Sequence, residues 1–124
     1  MKIRIKGDSI RYRLTKTEVE TFCEKGVYSE TTHFGTSEFN YVLQAKEGIN
    51  AMKADFADNT ITLFLPKDAC SSWATSDKVG YQNTMPIGNG KVLSLLLEKD
   101  FACLDNTMED QSDNYPNPKM GDVC

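Results

Sequence analysis

Residues 59–67, NTITLFLPK, set the pattern from which the rest of the chain is read. Ile61, Leu63 and Leu65 alternate with Thr60, Thr62 and Phe64, which predicts a strand with one buried face. Pro66 ends it, because proline cannot extend a sheet but suits the first turn of a helix. Residues 8–16, DSIRYRLTK, carry the same pattern 51 positions upstream. There Ile10, Tyr12 and Leu14 alternate with Ser9, Arg11 and Arg13, and Thr15 stands where Pro66 stands.

The flanking segments extend the match. Residues 2–6 alternate Ile3 and Ile5 with Lys2, Arg4 and Lys6, and Gly7-Asp8 is a two-residue hairpin turn leading into the strand at 9–14. Thr15-x-x-Glu18 is a capping box that opens a helix over 16–25, with Val19, Phe22 and Cys23 on one face and Gly26 as its stop. Residues 27–34 and 38–45 read as a second hairpin with Phe39, Tyr41 and Leu43 apolar, and 46–50 as a linker. Beyond it Met52, Ala54 and Phe56 alternate, Asp58-Asn59 turns, and 60–65 returns. A helix over 67–75 turns Ala69, Cys70 and Trp73 inward, with Trp73 lying 51 positions after Phe22. Strands follow at 79–85 and 91–98 around Gly88-Asn89-Gly90, and the last is apolar on both faces, as a central strand is.

Each half, 1–45 and 51–98, therefore reads strand, strand, helix, strand, strand. One such unit alone leaves strand edges unpaired. The expected fold is mainly β, of the α+β class. It is a small closed barrel built from two repeats with pseudo-two-fold symmetry, within a single domain 1–124 that ends in an irregular acidic tail, 99–124.

Composition narrows the class. The 124 residues are 40% hydrophobic and 26% charged, as in soluble globular proteins. No apolar run approaches the ~20 residues of a membrane span, so no membrane is expected. The first residues, MKIRIKGDS, lack the continuous apolar core of a secretory signal, so the cytoplasm is the expected location. Cys23, Cys70, Cys103 and Cys124 would then be thiols, and no CxxC or HxxxH spacing points to structural zinc. Charge is uneven: residues 1–97 hold 12 Lys/Arg and 11 Asp/Glu, whereas residues 98–124 hold two Lys and seven Asp/Glu.

Two groups of residues could carry chemistry. Lys2, Arg4, Lys6, Arg11 and Arg13 share one face of the first hairpin, a candidate partner or anion-binding surface. Like charges facing one another destabilise a sheet, so something acidic should cover this face or water must screen it; the tail is one candidate cover. In the tail, Asp105, Glu109, Asp110 and Asp113 form a candidate hard-cation site, although their spacing fits no EF-hand pattern. His33, the only histidine, reads as a surface residue at a hairpin, and Ser71-Ser72 lacks the context of an activated serine. No catalytic residue and no cofactor are expected.

The second half, from the strand ending Pro66-Lys67 through the short helix, Asp77-Lys78-Val79 and the Gly88–Gly90 hairpin, resembles the swapped-hairpin domain of AbrB-like transcription regulators. That resemblance covers about 40 residues and implies a barrel fold and DNA binding. In the family an arginine shortly after the proline-lysine pair helps hold DNA. Here Cys70, Ser71 and Ser72 occupy that stretch, and no basic residue lies between Lys67 and Lys78. MKIRIKG at the start and CLDNTMEDQSDNYPNP near the end resemble a family of small bacterial proteins of unknown function, which implies kinship of fold and no activity.

The expected function is a small non-catalytic cytoplasmic binding or regulatory module with a protein partner, acting as monomer or homodimer. A nucleic-acid-binding regulator of AbrB-like fold is the alternative, and a small metal-dependent enzyme using the acidic tail is the second.

Overall fold

The structure, a computed structural model, describes residues 1–101 and 112–116. Eight strands and two helices follow one another as β1 (Lys2–Ile5), β2 (Ser9–Leu14), α1 (Lys16–Lys25), β3 (Val27–His33), β4 (Glu38–Lys46), β5 (Lys53–Ala57), β6 (Thr60–Pro66), α2 (Lys67–Trp73), β7 (Gly80–Gly88) and β8 (Lys91–Lys99). They form two four-stranded sheets, ordered β1-β2-β8-β7 and β3-β4-β6-β5. Advancing each strand of the first sheet by four places turns its order into that of the second read backwards. Each sheet takes one hairpin from each half of the chain, and the halves meet in the parallel pairs β2·β8 and β4·β6.

Alternation decides what lies between the sheets. In the first sheet Ile3, Tyr12, Leu97 and Tyr81 form one row across the strands. In the second the matching row is Ala54, Leu63, Leu43 and Tyr28. Tyr12, Leu14, Leu95, Leu97, Leu43, Leu63 and Leu65 are buried in one core shared by both sheets. Tyr12 crosses it: its hydroxyl donates to the Ile61 carbonyl at 3.0 Å, and its ring meets that of Tyr41 edge-on at 6.3 Å. Burial of this phenol disfavours the phenolate and raises its pKa strongly.

The helices close one end of the sandwich. In α1 the spacing of Val19 and Phe22 puts both on the buried face, Thr15 N–H donates to Glu18 Oε1 at 2.9 Å, and Gly26 takes the left-handed conformation that ends the helix. In α2 Trp73 is fully buried, donates its indole N–H to the Lys78 carbonyl at 3.0 Å and stands edge-on to Tyr81 at 5.8 Å. Phe22 and Trp73, matched in sequence, are both core residues.

The expected closed barrel is corrected: the chain forms two separate sheets, and neither closes. The reason lies at the seams. Where β7 of one sheet comes beside the start of β5 of the other, Asn83 bonds the Met52 backbone with its side chain. At the opposite seam the Met1 ammonium pairs with Glu30 on β3 and with Glu18 on α1. Side chains occupy the place a backbone ladder would need. Some boundaries also shift: α2 ends at Trp73 rather than at residue 75, and β7 runs to Gly88. β8 lies inside its sheet, between β2 and β7, in keeping with its two apolar faces.

Candidate functional site

Three places on the fold gather residues with chemistry or exposed apolar surface. The first is the basic hairpin. Antiparallel pairing sets Lys2 opposite Arg13 and Arg4 opposite Arg11, so like charges do face one another. The strand beyond them supplies the opposite sign. Glu98 on β8 is in register with Arg13, and its Oε1 lies 3.6 Å from Arg11 Nε and 3.7 Å from Arg13 Nε. These are ionic contacts, too long for hydrogen bonds. Lys2 Nζ lies 3.2 Å from Oδ2 of the buried Asp100. Partial burial, with Arg13 beside it, lowers the Arg11 pKa against the pull of Glu98. Arg4 and Lys6 join Ser9, Arg11 and Leu96 around a depression of about 270 Å³. The five candidate anion-binding residues are thus brought together on one face, but three of them meet carboxylates of the fold.

The candidate metal residues are not brought together in what is described. Asp105, Glu109 and Asp110 lie outside the described residues. Asp113 sits at the start of α1, where its Oδ1 accepts from the Thr17 hydroxyl at 2.9 Å and its carbonyl accepts from Lys16 N–H at 3.0 Å. Hydroxyl hydrogen bonds, from Thr15 first and then from Thr17, hold its carboxyl below the ordinary carboxylate range, against a smaller upward push from burial. Beside it Tyr115 bridges to Phe101 and lies under Lys99 at 5.0 Å and Lys16 at 5.9 Å. Among the described residues no three His, Cys, Asp or Glu side chains are placed to hold a metal ion. His33 is exposed at the end of β3, 3.6 Å from Glu38.

The second place is the space between the helices, where Cys23 of α1 and Cys70 of α2 line one cleft of about 510 Å³. The Cys70 thiol donates to the carbonyl of Phe22, the residue before Cys23, at 3.8 Å. Burial first, and then Cys23, push the Cys70 thiol up to about 12.

The third place escapes sequence reasoning. At the end opposite the helices, the β1–β2 and β5–β6 hairpins and the first residues of β4 and β8 surround a cavity of about 350 Å³. Its walls are Ile5, Ile10, Phe39, Phe56, Ile61 and Leu93, with Ala54 and Asp55 completing them. The large side chains form matched pairs: Ile5 with Phe56 and Ile10 with Ile61, each 51 positions apart, and Phe39 with Leu93. Ile5 and Phe56 remain 55% and 66% exposed. Phe34, Ile87 and Val92, beside the tips of the other two hairpins, are exposed as well. The available signal was the phase of alternation: Ile5 and Phe56 share the inward phase of their strands but lie one turn from a hairpin tip, where no helix reaches.

The family model for DUF7009, a family of unknown function, matches residues 1–119. The chain belongs to that family. No curated protein and no solved structure matches this DUF7009 chain. Among its described residues no helix is long and apolar enough to cross a membrane.

Proposed function

We propose that this DUF7009 chain is a small non-catalytic binding module that takes a bulky apolar side chain of a protein partner at the helix-free end of its sandwich. The observation that carries the reading is the grouping of exposed apolar surface. Of the seven large hydrophobic residues exposed among the described residues, Ile5, Phe34, Phe56, Ile87 and Val92 lie at this one end. Exposed apolar groups that cluster around a hollow mark binding surfaces, whereas scattered ones do not. Around the apolar centre the hairpins carry Lys6, Asp8, Glu38, Asp58 and Lys91, a charged rim of the kind that surrounds a protein–protein contact.

A test selects peptides on the immobilised full chain from a random displayed library. The expected peptides share a Leu, Phe, Trp or Met anchor, and Phe56→Lys with Ile5→Lys weakens them at least tenfold while the circular dichroism spectrum is kept. Peptides without an apolar anchor, or binding indifferent to both substitutions, overturn the proposal. The alternative of a nucleic-acid-binding regulator has less support, because Arg11 and Arg13 share the carboxylate of Glu98 and Lys2 meets Asp100.

A further inference from the structure

The two thiols between the helices stand apart from that binding surface. Cys23 lies at the end of α1 and Cys70 in the first turns of α2, 47 positions later in the chain. Tertiary packing alone brings both to the lining of one cleft. Cys70 is buried and already touches the end of α1 through the Phe22 carbonyl, the residue just before Cys23. Cys23 is half-buried, and both line the cleft that opens to solvent between the helices.

We propose that Cys23 and Cys70 form a dithiol–disulfide site that joins α1 to α2, closed by exchange with a low-molecular-weight disulfide entering this cleft. The inference does not depend on the apolar end of the sandwich. Exposure assigns the roles. The Cys23 thiol loses its proton and its sulfur attacks one sulfur of R–S–S–R, breaking that bond; the expelled RS⁻ takes up a proton. The product is a mixed disulfide on Cys23. Cys70 then gives up its proton and attacks the Cys23 sulfur, expelling the second RS⁻, which is protonated in turn. Two protein thiols are oxidised, one small disulfide is reduced to two thiols, and no further electron acceptor is needed. Burial keeps Cys70 protonated in bulk terms, so it is a poor first nucleophile. Its fixed place beside Cys23 makes the second step intramolecular, where a local concentration far above that of any free thiol offsets the lower thiolate fraction.

The disulfide would tie the end of α1 to the start of α2 and so link the two halves of the chain. Closing a loop of this length restricts the unfolded chain and should raise Tm by roughly 5–15 °C.

The test treats the reduced full chain with excess oxidised glutathione, digests it with trypsin under non-reducing conditions and reads the linked peptides by mass. The expected product joins peptide 17–25 to peptide 68–78 and has lost two hydrogens. Cys70→Ser should stop at glutathione on Cys23, and Cys23→Ser should leave Cys70 unmodified. Cys70→Val, which places at this position the residue type of the matched Val19, repeats the first variant should serine disturb folding. The proposal is overturned by linkage of either peptide to Cys103 or Cys124 instead, by free thiols at both positions after oxidation, or by absence of the Cys23 adduct in both Cys70 variants.

Discussion

Asn83 grips both backbone polar groups of one residue, Met52: its Oδ1 accepts from Met52 N–H at 3.0 Å, and its Nδ2 donates to the Met52 carbonyl at 3.0 Å. A side chain from β7 thereby does for the start of β5 what a neighbouring strand would otherwise do. The opposite seam places Glu30 against the Met1 amine. Met1 precedes Met52 by 51 positions, and Glu30 and Asn83 stand two residues beyond the matched Tyr28 and Tyr81. Each seam thus has a polar side chain at the same place in its half, Glu30 or Asn83, and Glu18 adds a second carboxylate at Met1.

Asn83→Ala removes both partners of the Met52 backbone, and Met52 is buried. Leaving a buried donor and acceptor unsatisfied costs about 1–3 kcal/mol for each group. Both bonds are only part-buried, so the expected loss in urea unfolding lies in the lower part of that sum, about 2–4 kcal/mol. Asn83→Asp keeps the acceptor but sets a carboxylate oxygen against the Met52 carbonyl, so it should not restore the wild-type midpoint.

Gly80 opens β7 against the backbone of β8. A Cβ there would lie 1.9 Å from the Leu97 carbonyl oxygen and 2.9 Å from Glu98 Cα. Both atoms belong to the central strand of the sheet and cannot move without breaking the ladder. Gly80→Ala is expected to destabilise by more than about 2 kcal/mol, among the larger costs of a single substitution. An unchanged urea midpoint would show that the strands can separate at this point.

Asp113 ties residues 112–116 to the start of α1, and its pKa is lowered by hydroxyl hydrogen bonds. The sign follows from linkage: a carboxyl depressed in the folded state contributes stability that is present above its unfolded pKa and is lost as pH falls through the lower folded value. The Thr17 amide signal in NMR should therefore titrate with a midpoint below that of an ordinary aspartate. Asp113→Asn should abolish that titration and lower stability by less than about 1 kcal/mol, since the amide oxygen still accepts from the Thr17 hydroxyl.

Glu98 offsets Arg11 and Arg13 from the neighbouring strand. Glu98→Gln removes this charge and leaves the cations of the hairpin less compensated. Retention on heparin should increase, with elution at higher salt. The stability change should stay within about 1 kcal/mol, since the pair is partly solvated. Unchanged retention would mean that the face does not present its charge to a polyanion.

Alternation and capping are local, so the sequence by itself determined the strands, both helices, the turns and their order. Ile61, Leu63 and Leu65 had to share a face in any sheet, and Thr15 with Glu18 had to open a helix. Membership in two like halves was visible from the 51-residue spacing of Tyr12 with Leu63 and of Phe22 with Trp73. Only tertiary structure decided that the halves exchange hairpins into two open sheets, because ladder pairing depends on which backbone edges meet and not on the pattern within any strand. The same holds for the candidate sites. The inward faces of both helices were legible, yet the meeting of Cys23 and Cys70 at one cleft follows from how α1 lies on α2. Ile5 and Phe56 carried the inward phase of core residues, but phase fixes a side of the strand and not its depth. Their exposure follows from the placement of both helices at the far end.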